Sequence, residues 1–127
     1  MIQEDYVSFE TAKLLKEKGF DECCYVKYKY VKEFDDYFQT TEYVYDGFEK
    51  YYYPCPTLQI VTKWLREVHS LYLDITTSFS QDGICYTFSC SNTMDLIQGT
   101  KGSSYHEYQT YEEACEAGIR YTLENLI

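Results

Sequence analysis

Two histidines, His69 and His106, are the only side chains of this 127-residue sequence that ordinarily titrate near neutral pH. Any Ser–His or Cys–His nucleophilic pair must recruit one of them. No glycine-rich nucleophile turn, phosphate-binding loop or His-x-x-x-His ligand pair accompanies them. The six cysteines, at 23, 24, 55, 85, 90 and 115, include no C-x-x-C spacing. Cys85 and Cys90 are separated by four residues, with no second pair to complete a zinc set. The expectation is a non-catalytic protein that carries neither metal nor cofactor. His69 falls at the end of a helical pattern, where the helix dipole favours a cation, so a capping role is expected of it.

Two groups of residues suit binding better than catalysis. Lys63, Arg66 and Ser70 share one helical face, with His69 nearby, and beyond residue 51 the only other basic residues are Lys101 and Arg120. Such a face suits an acidic partner or a small anion; a solvated face with a Lys63–Glu67 pair uses the same residues. The second group is aromatic. Of 16 Tyr and 7 Phe, twelve rings crowd between Tyr25 and Tyr53, and Tyr43, Tyr45, Tyr51 and Tyr52 are the candidate contact residues there. Tyrosine suits half-buried strand positions and interfaces alike, because an apolar ring carries a wet hydroxyl. Segment 25–53 is thus the expected surface for a protein partner, self-association included.

The elements that must position these groups are read from periodicity. Ser8–Lys18 forms a first helix, capped by Ser8, with Val7 and Ala12 as a staple and Gly19–Phe20 as a Schellman ending. Residues 24–31 alternate as a strand, with Cys24, Val26, Tyr28 and Tyr30 on one face and Lys27 and Lys29 in water. A second strand is expected near 40–45, followed by a type I′ turn at Asp46-Gly47. Residues 54–69 read as an amphipathic helix entered through a proline-rich turn, with Leu58, Val61, Leu65, Val68 and Tyr72 inward and Gln59, Thr62, Lys63, Arg66 and Ser70 opposite. A hairpin follows, with Leu71, Leu73, Ile75, Thr77 and Phe79 inward, a turn at Asp82-Gly83, then Ile84, Tyr86, Phe88 and Cys90 inward. Residues 91–104 read as a loop. Thr110-Tyr-Glu-Glu113 is a capping box opening a last helix over 111–126, striped by Tyr111, Cys115, Ile119, Leu123 and Leu126, with Ala114, Ala117 and Gly118 as a small-residue shoulder. The sum is a single α+β domain over 1–127: three helices on one face of an antiparallel sheet of about four strands, in the order α-β-β-α-β-β-α.

Composition narrows the functional classes. A net charge of −10, from 21 acidic and 11 basic residues, opposes direct contact with nucleic-acid phosphates or anionic membranes. No apolar run reaches the length of a membrane span. The start, Met-Ile-Gln-Glu-Asp-Tyr, lacks a basic and then apolar leader, so a cytoplasmic protein with reduced thiols is expected. Acidity also admits a DNA-mimic that inhibits a host nucleic-acid enzyme: Glu112, Glu113, Glu116 and Glu124 face only Arg120 on the last helix, and Glu33, Asp35 and Asp36 add a second cluster.

Three segments, Ser8–Phe20, Pro56–His69 with its Trp-Leu-Arg-Glu-Val-His ending, and Tyr111–Leu126, carry a resemblance. They resemble a set of short proteins, without an assigned activity, found in gut Bacteroidetes genomes and their phages. What the resemblance implies is a phage or mobile-element setting and a bacterial cytoplasm. The functional expectation is an accessory protein acting by protein interaction, with the DNA-mimic and a small-molecule-binding domain as alternatives.

Overall fold

In the computed structural model, which describes residues 2–98, 102–103 and 106–127, helix α1 spans Phe9–Glu17. Ser8 caps it as its sequence requires: the Ser8 hydroxyl accepts the Thr11 N–H at 3.3 Å. At the other end Gly19 adopts φ +88°, Phe20 N–H donates to Leu15 O at 2.9 Å and Gly19 N–H donates to Lys16 O at 3.3 Å. Those two bonds are the Schellman pair, and Phe20 is buried behind them. The contacts divide the chain into two units, Met1–Thr57 and Leu58–Ile127.

In the first unit, β1 (Lys27–Val31) is the centre of an antiparallel sheet, flanked by β2 (Asp36–Thr40) and β3 (Tyr52–Pro54). Register places Tyr28 opposite Gln39 and Tyr53, and Lys29 opposite Phe38 and Tyr52. Because side chains alternate, Tyr28, Tyr37 and Tyr53 share one face and Lys29, Phe38 and Tyr52 share the other. Helix α1 covers the first face. The ring of Phe9 stacks on Tyr37 at 4.3 Å and meets Tyr28 and Tyr53 edge-on at 5.5 and 5.4 Å. The Tyr28 hydroxyl donates to Val7 O at 2.7 Å, which satisfies the polar end of that buried ring.

The strand expected near 40–45 is displaced. The turn after β1, with Asp35 at φ +49°, returns the chain so that Asp36 lies opposite Val31, and the ladder ends where Lys27 meets Thr40. Residues 41–45 therefore lie past the end of β1 and have nothing to pair with there. Phe48 N–H donates to Tyr45 O at 3.0 Å, and positive φ occurs at Gly47 (+90°) but not at Asp46. That is a type II arrangement rather than the expected I′, and it leads into a 3-10 turn, Glu49–Tyr51, instead of a hairpin.

The second unit holds α2 (Leu58–His69), β4 (Leu71–Ser80), β5 (Gly83–Asn92), α3 (Thr93–Gln98), the two-residue β6 (Gly102–Ser103) and α4 (Tyr111–Asn125). The chain is α+β, but among the described residues the single four-stranded sheet under three helices is replaced by two antiparallel sheets, β2-β1-β3 and β4-β5-β6, and four α-helices. Both edges of β1 are used by β2 and β3, which leaves it no edge on which to extend the later hairpin. Part of the expected 91–104 loop is also ordered structure. Asp95 N–H donates to Asn92 Oδ1 at 2.8 Å and Asn92 N–H to Asp95 Oδ2 at 3.1 Å, a reciprocal cap that starts α3. Residues 99–101 and 104 of that loop lie outside the described residues.

Inward faces follow the periodicity except near element ends. On α2, Leu58, Val61 and Leu65 are buried as expected, but Val68 is 58% exposed while Thr62 and Trp64 are buried. The last turn sends His69 inward instead, with its ring 4.6 Å from Trp64. In the hairpin, Leu71, Phe88 and Cys90 are buried, yet the cross-strand partners Phe79 and Ile84 are 85% and 60% exposed. Ten-residue strands run about 33 Å, whereas the 15 residues of α4 span about 22 Å, so the hairpin tip outreaches its cover. Thr110 caps α4 by accepting the Glu113 N–H at 3.1 Å. Cys115, Ile119 and Leu123 are buried, but Tyr111 and Leu126, at the two ends of the expected stripe, are 41% and 44% exposed.

The small-residue shoulder of α4 marks its closest approach to the sheet. A Cβ at Gly118 would lie 2.7 Å from Leu73 Cδ1 and 3.1 Å from Phe88 Cβ. Glycine normally costs a helix about 1 kcal/mol relative to alanine, so here contact with the sheet offsets it. Gly118→Val overpacks this contact and is expected to lower unfolding free energy by about 1–3 kcal/mol, read as a fall in the urea midpoint at unchanged m-value.

Candidate functional site

The face of the first sheet that α1 leaves open carries a concavity of about 700 Å³. Lys29 of β1 and Tyr52 of β3 contribute to it from that face, Tyr30 borders it although its side chain alternates to the Tyr28 and Tyr37 side, and the 41–51 segment supplies Glu42, Tyr43, Tyr45, Phe48 and Tyr51. All four tyrosines singled out from the sequence converge here. Their rings are paired rather than scattered: Tyr43 meets Tyr45 edge-on at 5.0 Å, and Phe48 lies 6.1 Å from Tyr51. Tyr43 and Tyr45 remain 72% and 68% exposed, and Phe48 and Tyr51 54% and 52%.

Polar bonds hold the irregular segment on the sheet. Lys29 Nζ lies 2.9 Å from Glu42 Oε2, Tyr52 OH donates to the same oxygen at 3.4 Å, and Lys27 Nζ donates to Glu42 O at 2.7 Å. From α1, Lys16 Nζ donates to Tyr52 O at 2.8 Å and Glu49 O at 3.1 Å, anchoring the start of β3. The hydrogen bond from Lys29 holds the Glu42 carboxyl below its ordinary range, and the same bond raises Lys29. The Tyr30 hydroxyl donates to Asp35 Oδ1, which pushes the Tyr30 pKa up. The Tyr30 and Tyr52 hydroxyls are therefore donors to carboxylates of the same unit.

Lys29, Tyr30, Glu42 and Phe48 were not among the residues expected from the sequence. Lys29 and Glu42 become neighbours only through the β1–β2 register and the chain beyond Thr40. The basic residues singled out on α2 have local uses instead. Lys63 lies 4.0 Å from Glu67, an exposed i,i+4 pair, and Arg66 is exposed on the last turns. His69 is half-buried against Trp64, with its Nε2 buried and without a hydrogen-bond partner.

Four of the six cysteines occupy packing positions. Cys55, Cys85, Cys90 and Cys115 are buried, Cys24 is half-buried and Cys23 is exposed. Burial pushes both Cys24 and Cys115 up to about 11. Among the described residues no three His, Cys, Asp or Glu side chains gather where a metal could sit, and no helix is long and apolar enough to cross a membrane.

Two measurements check this electrostatic picture. Because the folded pKa of Glu42 is lowered, the stability that its pair with Lys29 contributes is present above the ordinary carboxyl value of 4.5 and lost as pH falls through the folded value. NMR titration is expected to place Glu42 below its ordinary value, and Lys29→Met is expected to raise it; an unchanged midpoint contradicts the pair. Thiolates, not thiols, react with alkylating agents. At pH 8 the first adduct is therefore expected on Cys23, with Cys115 modified only on unfolding, as mass spectrometry of proteolytic fragments would resolve.

No protein-family model, curated protein or solved structure matches this chain, so function has to be argued from the concavity itself.

Proposed function

We propose that this protein acts by binding another protein through the aromatic concavity of its first unit, and that it is not an enzyme. The observation that carries the reading is the convergence of Tyr43, Tyr45, Tyr51 and Tyr52 with Phe48 around one open depression. Tyrosine gives large contact area at low entropy cost, and exposed apolar patches of this kind mark interaction sites. The setting proposed is that of a cytoplasmic accessory protein of a phage or mobile element, on the strength of the resemblance carried by the Trp-Leu-Arg-Glu-Val-His segment.

A small molecule is the second reading, favoured by the volume of about 700 Å³, which lies within the range of ligand pockets. Ligand pockets, however, enclose most of their ligand, whereas Tyr43 and Tyr45 are more than two-thirds exposed. A broad partner surface fits that exposure better. A Tyr43→Ser/Tyr45→Ser variant touches only exposed rings, so its circular dichroism and melting temperature are expected to match the parent. Its retention of partner in a pull-down from host lysate, and any concentration-dependent sedimentation, are expected to be lost. Unchanged retention and sedimentation would remove the interaction reading, and a thermal shift with a nucleotide or metabolite screen would replace it by the small-molecule one.

A further inference from the structure

We infer that the concavity is built to take a basic segment of the partner, with an arginine side chain seated against its tyrosine rings; this rests on the binding role proposed above and names its ligand chemistry. Three observations meet here. The run from residue 33 to 49 contains Glu33, Asp35, Asp36, Glu42, Asp46 and Glu49 and no lysine or arginine. Glu42, Asp46 and Glu49 fall on the stretch that supplies most of the aromatic wall, against Lys29 and Lys50 there, while Glu33, Asp35 and Asp36 lie toward the other end of the β1–β2 ladder; this excess of carboxylates favours a cationic partner over an acidic one.

Ring faces in this unit already take cations. Lys50 Nζ sits 5.1 Å from the centroid of Tyr51, Lys16 Nζ 4.8 Å from Tyr53 and Lys13 Nζ 5.6 Å from Phe9. Attraction between a cation and a ring face is electrostatic and strengthens as water is excluded, which is what a partner closing over Tyr43 and Tyr45 would do. The third observation is the state of Glu42. Both of its side-chain bonds, from Lys29 and from Tyr52, end on Oε2. Among the described residues no bond ends on Oε1, so that oxygen is left to accept from an incoming guanidinium. A planar guanidinium both stacks on rings and donates in a fork, whereas an ammonium does only part of this.

The test uses the full chain and two short blocked peptides, one alternating glycine with arginine and one with citrulline in place of every arginine. Citrulline keeps the shape and loses the charge. By calorimetry the arginine peptide is expected to bind at low salt and to weaken as salt rises, and the citrulline peptide to bind at least about tenfold more weakly. Tyr43→Leu and Tyr51→Leu, which keep apolar volume but remove the ring face, are each expected to weaken the arginine peptide by roughly threefold or more, with the melting temperature unchanged. Glu42→Gln is expected to weaken it too. Equal binding of the two peptides, weakened alike by Tyr43→Leu, would overturn the arginine assignment while leaving a binding concavity in place. No binding of either peptide would also overturn it, and the pull-down with the Tyr43→Ser/Tyr45→Ser variant would then decide the binding role separately. Arginine binding that survives both leucine variants undiminished would place the cation elsewhere and overturn the inference.

Discussion

The packing of Phe9 is the interaction on which the first unit depends. Its ring touches one tyrosine from each of three strands: Tyr28 of β1, Tyr37 of β2 and Tyr53 of β3. A single side chain from α1 thus ties together tyrosines that the sequence separates by as many as 25 residues. Aromatic pairs in edge-on and offset geometry add about 0.5–1.5 kcal/mol beyond the area they bury. Once that face is committed to the helix, strand alternation sends Lys29, Phe38 and Tyr52 to the other side, where Glu42 of the 41–51 segment meets Lys29 and Tyr52. The candidate site is in this sense the reverse side of the core.

That arrangement also explains why the site is aromatic but not dry. Residues 41–51 have no ladder partner to bury their backbone, so they are held by lysine side chains bonding to carbonyls: Lys27 to Glu42, Lys16 to Glu49 and Tyr52. Long cationic side chains can lay their stems along apolar surface while their heads satisfy polar groups. Lys27, Lys16, Lys13 and Lys50 are thereby taken up by internal carbonyls or by ring faces.

The second unit rests on a different device. There the packing is governed by small residues, with Gly118 admitting Leu73 and Phe88 to van der Waals range of the α4 backbone, and Thr122 bonding its hydroxyl to Gly118 O at 2.8 Å. The buried thiols of Cys85, Cys90 and Cys115 serve as small apolar groups. Reactive residue types are present in this unit, and packing takes up most of them: His69 lies against Trp64 and Cys115 is raised to about 11 by burial.

Local signals were sufficient wherever a few adjacent residues decide the outcome. The Ser8 and Thr110 caps, the Gly19–Phe20 ending, the β4–β5 hairpin and the α+β class are all legible in the amino-acid sequence, because caps and turns are satisfied within a few residues and amphipathic periods within a few turns. The tyrosine-rich character of residues 25–53 was equally plain. Tertiary structure alone decided the rest. Whether 36–40 or 40–45 pairs with β1 depends on the length and handedness of one turn at Asp35, where a slip of a single residue moves every side chain between faces. The division into two sheets depends on which strand edges are left over, a quantity that no local pattern contains. Lys29 and Glu42 are thirteen residues apart and become an ion pair only after the chain has folded back on itself; closing that distance is the work of the whole β2-β1-β3 sheet.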